Sequence, residues 1–165
     1  MAEAGTARRT RVGPLDEPAM VALARRLAQV VEPPLVVFLH GDLGAGKTTL
    51  VRALVQALGH PGRVKSPTYG LLEHYALEKL DVLHLDLYRI GDPGELDYLG
   101  VGDLLGPRTV LLVEWPERGR EALPAPDLEI ELVPDRENPG NSRNLSLYAH
   151  SRSGNALCEF IDSLL

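Results

Sequence analysis

The run Gly41-Asp42-Leu43-Gly44-Ala45-Gly46-Lys47-Thr48 has the spacing of a loop that wraps phosphate: a glycine, four residues, then Gly-Lys-Thr. Glycines let the backbone approach an anion closely, so the amides of Gly44, Ala45 and Gly46 would point inward, and a helix beginning at the loop's end adds a favourable dipole. Lys47 would bridge the terminal phosphates, and the Thr48 hydroxyl would sit on Mg²⁺. Thr49, the next residue, could reach the α-phosphate. The bland alternative is a Gly-rich turn, but the apolar run Leu35–Leu39 before the loop and the amphipathic segment after it favour the nucleotide site.

Such a site needs an acid to hold the metal, placed at the end of a buried strand beside the loop. Glu114 follows Val110-Leu111-Leu112-Val113 and fits that place. Asp86 competes. It shares one face of an alternating strand with His84 and Tyr88, where it could orient an attacking water or stand behind the metal's ligands. The same alternation also suits the solvated face of an edge strand. Lys65-Ser66-Pro67-Thr68-Tyr69 stands at the spacing of a switch segment whose hydroxyls sense the terminal phosphate. Taken alone it is a Pro-containing turn. Arg89 could neutralise phosphate charge, and Arg118 and Arg120 could form a kinase-like lid, though surface positions suit all three. Trp115, the only tryptophan, adjoins Glu114 and reads as packing.

The elements that must hold these residues are legible in the pattern. Asp16 caps a helix with Met20, Leu23, Ala24, Leu27 and Val31 at helical spacing, and Pro33-Pro34 stops it. Leu35–Leu39 is a strand buried on both faces, and Thr48–Leu58 is a helix ended by Gly59, Pro61 and Gly62. Leu71–Leu77 and Val82–Tyr88 read as strands, with a short helix around Glu95–Leu99. Thr109–Trp115 is a second buried strand, Leu128–Val133 and Leu145–Ala149 are amphipathic strands, and Asn155–Leu165 is a closing helix. The expected fold is α/β: a P-loop NTPase-like single domain over 15–165, with a mostly parallel sheet, helices on both faces and antiparallel edge strands. Residues 1–14 read as a flexible basic tail.

Composition bounds the rest. The chain has 165 residues, 44% hydrophobic, enough for one core without disulfides, and its single cysteine, Cys158, rules out an intrachain disulfide and an all-cysteine metal site. A net charge of −6 argues against direct electrostatic capture of nucleic acid or anionic membrane. The N-terminal residues lack the apolar stretch of a secretory signal, and the longest apolar run is far shorter than a membrane span. The expectation is a cytoplasmic protein with no membrane contact.

Four segments in order carry a resemblance: Gly41–Thr49, Ser66-Pro67-Thr68-Tyr69, His84-Leu85-Asp86-Leu87-Tyr88-Arg89 and Val113-Glu114-Trp115-Pro116. Together they resemble the bacterial TsaE (YjeE) family, the ATPase subunit of the tRNA N6-threonylcarbamoyladenosine (t6A) machinery. The resemblance runs from about Leu15 to the strand near Leu145. It implies ATP and Mg²⁺ as the bound species, with Gly44 to Thr49 on the phosphates and Thr48 and Glu114 on the metal. It further implies that Ser66 to Tyr69 form a switch, that Asp86 and Lys47 act in hydrolysis, and that Arg143 lies near the nucleotide. Where the family's first helix commonly carries a threonine near the adenosine, this chain has Met20. The implied partners are the threonylcarbamoyl transferase and its dimerising paralogue, with tRNA reached through them. A small P-loop kinase of a nucleoside or metabolite, and a switch whose hydrolysis is incidental to partner binding, are the competing functions.

Overall fold

The computed structural model describes residues 8–64 and 71–165. In chain order the strands are β1 (Arg8–Leu15), β2 (Leu35–His40), β3 (Leu72–Ala76), β4 (Asp81–Asp86), β5 (Thr109–Glu114), β6 (Leu128–Pro134) and β7 (Arg143–Ala149). The helices are α1 (Glu17–Ala28), α2 (Lys47–Ala57), α3 (Gly94–Tyr98), α4 (Val101–Leu104) and α5 (Arg152–Leu164).

The seven strands form one sheet in the order β1-β7-β6-β2-β5-β4-β3. Its centre is parallel: β6 with β2, β2 with β5, and β5 with β4. The outer pairings, β1 with β7, β7 with β6 and β3 with β4, are antiparallel. The two uninterrupted apolar runs explain the centre. Every residue of β5 is buried, and so are Leu35, Val37, Phe38 and Leu39 of β2, because both faces of these strands are covered. One face packs on α1, α2 and α5 through Met20, Leu23, Leu50, Leu54, Leu157 and Ile161. The other packs Phe38, Leu83, Leu85, Leu111 and Val113 against Leu96 of α3 and Val101 of α4.

Helix ends follow the capping chemistry. Asp16 accepts a hydrogen bond from the Ala19 N–H at 2.9 Å to cap α1, and Ser151 accepts from the Gly154 N–H at 3.1 Å to cap α5. By contrast, α2 starts at Gly46 in a left-handed conformation (φ +99°) with no side-chain cap. Its first N–H groups therefore need a partner from outside the helix.

One reading of the sequence is corrected. The stretch read as a flexible tail over 1–14 is, from Arg8 onward, strand β1, paired with β7 through registers such as Thr10 with Leu147. Its outward residues are arginines, which hid it. The inward Thr10 is 2% exposed, and its hydroxyl donates to Asp162 of α5 at 3.1 Å. Of the two alternatives open for the strand carrying Asp86, the edge strand is excluded, because β4 is flanked by β3 and β5. It has no solvated edge face, and His84 on the supposed polar face is 0% exposed. Among the described residues no helix is long and apolar enough to cross a membrane.

Candidate active site at the end of the parallel strands

The loop Gly41–Gly46 leaves the C-terminal end of β2 and delivers the chain into α2, at the place where β2 has neighbours on both sides. At Gly41 a Cβ would meet the Leu132 carbonyl at 2.8 Å, so the tight path of the loop against β6 admits only glycine there. Beyond the loop lies a cavity of about 210 Å³ lined by residues 43–49 together with Asp86, Tyr88, Glu114 and Trp115. Three elements that are separate in sequence thus bring Lys47, Thr48, Asp86 and Glu114 to one wall. A larger cleft of about 580 Å³, on the far side of Trp115 and lined by His40, Glu117, Glu129 and His150, contains none of these four. All four candidate residues converge in the smaller cavity.

Lys47 is 4% exposed. Its ammonium donates to the Gly41 carbonyl and lies 3.6 Å from the centre of the Trp115 ring. Burial pushes its pKa down, against the opposing pull of Glu114 and Asp86. Trp115 reaches this position from a left-handed backbone (φ +59°, ψ +49°), which a bulky side chain adopts only at a cost on the order of 1–3 kcal/mol. Its ring also contacts Tyr88, with ring centres 5.1 Å apart. Arg118 lies over both rings at 4.8 and 5.2 Å and donates to the Tyr88 carbonyl. A run of cations and aromatics therefore links the loop lysine to the turn after β5.

Glu114, 2% exposed, ends β5 at the base of the cavity. The Thr48 hydroxyl donates to its Oε1 at 3.0 Å, and the His84 ring is 2.6 Å from its Oε2. Asp86, paired in register with Glu114, accepts from the Tyr88 N–H at 3.1 Å. Burial raises the Asp86 pKa above the ordinary carboxylate value, with a further upward push from Glu114. Two acids in one cavity thus have different surroundings: Glu114 is buried against Thr48 and His84, whereas Asp86 is half-buried and accepts one backbone N–H. Among the described residues no group of three His, Cys, Asp or Glu side chains is set to hold a metal alone. A cation beside Thr48 and Glu114 would need phosphate oxygens and water to complete its shell, which is how Mg²⁺ is ordinarily held.

Arg143, at the start of β7, lies outside this cavity. Its guanidinium donates to the carbonyls of Ala45 (3.0 Å), Gly44 (3.2 Å), Pro139 (2.8 Å) and Ser142 (3.0 Å), strapping the loop from behind. It lines an adjoining cavity of about 210 Å³ with Met20, Gly44, Gly46 and Thr49. The expected switch, Ser66-Pro67-Thr68-Tyr69, lies outside the described residues. Arg120 pairs with Glu129 at 3.2 Å, and Arg89 is exposed. His84 and the Lys47–Trp115 contact have no counterpart among the roles expected from the sequence. The only available signal for the histidine was its place two residues before Asp86 on the same strand face.

The profile of a family described as threonylcarbamoyl adenosine biosynthesis protein TsaE matches residues 15–145, most of the chain. The chain belongs to the TsaE family. It is similar to the TsaE protein of Haemophilus influenzae, at 38% identity over 84% of this chain and 89% of that one. The Bacillus subtilis TsaE protein is 33% identical over 84% of each chain. The crystal structure of Bacillus subtilis YdiB superposes with a TM-score of 0.73 at 26% identity, covering 98% of this chain and 99% of that chain. The TsaE match begins within β1 and ends within β7, so it includes every described element that lines the loop cavity.

Proposed function

We propose that this chain binds ATP with Mg²⁺ at the Gly41–Thr48 loop and hydrolyses it as the accessory ATPase of t6A formation on tRNA. Membership of the TsaE family makes the pathway t6A biosynthesis. The observation that carries the nucleotide reading is the uncapped N-terminus of α2, opening onto a cavity that holds Lys47, Thr48 and Glu114.

In this reading the amides of Gly44 to Thr48 bind the phosphate oxygens, and Lys47 leaves the Trp115 ring to bridge the terminal phosphates. Thr48 and Glu114 would hold the cation, which when bound neutralises charge on the phosphates. Asp86, half-buried and desolvated at the cavity, is suited to orient or deprotonate the attacking water. Arg143 supports the loop's shape through its carbonyls, and the nucleoside lies towards Met20 in the adjoining cavity.

The partners are the threonylcarbamoyl transferase and its dimerising paralogue. They hold the tRNA, consistent with the net charge of −6, in a cytoplasmic reaction. ATP permits docking and hydrolysis resets the complex. The kinase alternative is not favoured: Arg118 and Arg120, its candidate lid, are engaged with Tyr88, Trp115 and Glu129. The test is steady-state ATP turnover by this chain alone and with the partner complex. Stimulation by the complex supports the reading. Turnover that ignores the complex but rises with a nucleoside acceptor would contradict it.

A further inference from the structure

We propose that His84 is a positioning residue for Glu114: it clamps one carboxylate oxygen so that the other is presented to the cation at a fixed angle. The inference rests on the reading that Glu114 and Thr48 hold Mg²⁺. His84 stands on β4, the strand between β3 and β5; its side chain is fully buried and its Nε2 is 2.6 Å from Glu114 Oε2. Its other ring nitrogen, Nδ1, has no hydrogen-bond partner among the described residues. That asymmetry assigns the tautomer. With the hydrogen on Nε2 the ring donates to Glu114 and leaves Nδ1 a bare lone pair, which costs less to bury unpaired than an N–H.

A polar ring buried at the cost of one unpaired atom needs a compensating role, because an apolar side chain of similar size would pack there without that cost. The role is visible in the division of the carboxylate. Oε2 is taken by His84 and Oε1 by the Thr48 hydroxyl, so both ends of Glu114 are fixed before any ligand arrives. Mg²⁺ demands near-octahedral geometry, and the groups that orient its carboxylates commonly change affinity or activity by about 10- to 100-fold when removed.

The experiment measures ADP affinity by titration calorimetry, with Mg²⁺ and with chelator, alongside thermal unfolding. ADP keeps turnover out of the readout. His84→Leu should lose about tenfold or more of the affinity gained from Mg²⁺ while keeping its metal-free affinity. His84→Gln, whose amide reaches the position of Nε2, should recover most of the gain. On a Glu114→Gln background, His84→Leu should change nothing further, since the histidine acts only through that carboxylate. If His84→Leu fails to fold, His84→Gln against His84→Asn replaces it, because the asparagine amide reaches only the position of Nδ1. Full Mg²⁺ dependence in His84→Leu, or a glutamine variant no better than leucine or asparagine, would overturn the proposal. A wild-type protein whose ADP affinity ignores Mg²⁺ would instead overturn the metal reading itself, and the His84 role with it.

Discussion

The ammonium of Lys47 lies 3.6 Å from the centre of the Trp115 ring, and the same nitrogen donates to the Gly41 carbonyl. The loop lysine is thus stored on an aromatic face, beside the phosphate position it is proposed to serve. A cation on an indole face is worth about 2 kcal/mol when desolvated, a holding energy that phosphate charge readily exceeds. Trp115, the only tryptophan, is therefore an internal reporter. Mg-ATP should change its fluorescence as Lys47 departs, and Lys47→Met should start from a different baseline and respond less. A flat signal despite ATP binding measured by calorimetry would mean that Lys47 stays on the ring.

Lys47→Ala should lower ATP turnover by about 100-fold or more, the effect of removing one charge contact to the transferring phosphoryl group, about 3 kcal/mol. The fold should survive, because burial already disfavours this ammonium. Steady-state turnover and a thermal melt measured together check both halves. Near-native turnover would remove Lys47 from the chemistry.

Glu114→Gln and Asp86→Asn should separate the two acids. The first should lose the part of ATP affinity that depends on Mg²⁺. The second should bind Mg-ATP nearly normally and turn it over about 100-fold more slowly, since a positioned base contributes on that scale. Calorimetry with and without Mg²⁺, set beside turnover, distinguishes them. The reverse pattern would exchange their roles.

Away from the loop, Glu129 joins His40 and His150, each at 2.8 Å, with Arg120 at 3.2 Å. Burial alone would raise its carboxyl pKa, but the hydrogen bonds from His40, His150 and Arg120 outweigh it and hold the group below its ordinary value. A carboxyl depressed in the folded state contributes stability in full above its unfolded value and loses it as pH falls through the folded one. Glu129→Gln should therefore cost about 1 kcal/mol at neutral pH, with the deficit fading below about pH 4. Melts of both proteins across pH test this, and a deficit that persists in acid would contradict it.

The Gly-rich turn between β2 and α2, the two buried strands and the place of Glu114 at a strand end are legible because each rests on local information: a glycine spacing, an apolar run, an acid after it. β1 is not, because its inward residues are a threonine and a valine interleaved with arginines and followed by Gly13-Pro14, and only pairing with the distant β7 gives it a face. The pattern of β4 identifies a strand but leaves edge and interior equally open, since an alternating strand looks the same whether its polar side meets water or a buried carboxylate. His84 shows the consequence. Its type and position were visible, but its role depends on Glu114 arriving from a neighbouring strand. Arg143 was expected near the nucleotide, and the carbonyls it straps belong to the loop itself.

The central claim is that ATP hydrolysis at the Lys47 loop drives repeated rounds of t6A formation. The direct measurement is t6A formed per partner complex, in a reconstituted reaction holding this chain, the transferase pair, tRNA and the threonylcarbamoyl donor. With ATP the yield should climb through many rounds. With a non-hydrolysable analogue, or with Lys47→Ala and ATP, it should stop at about one round or fewer. Sustained rounds with the analogue or with the lysine variant would contradict the account.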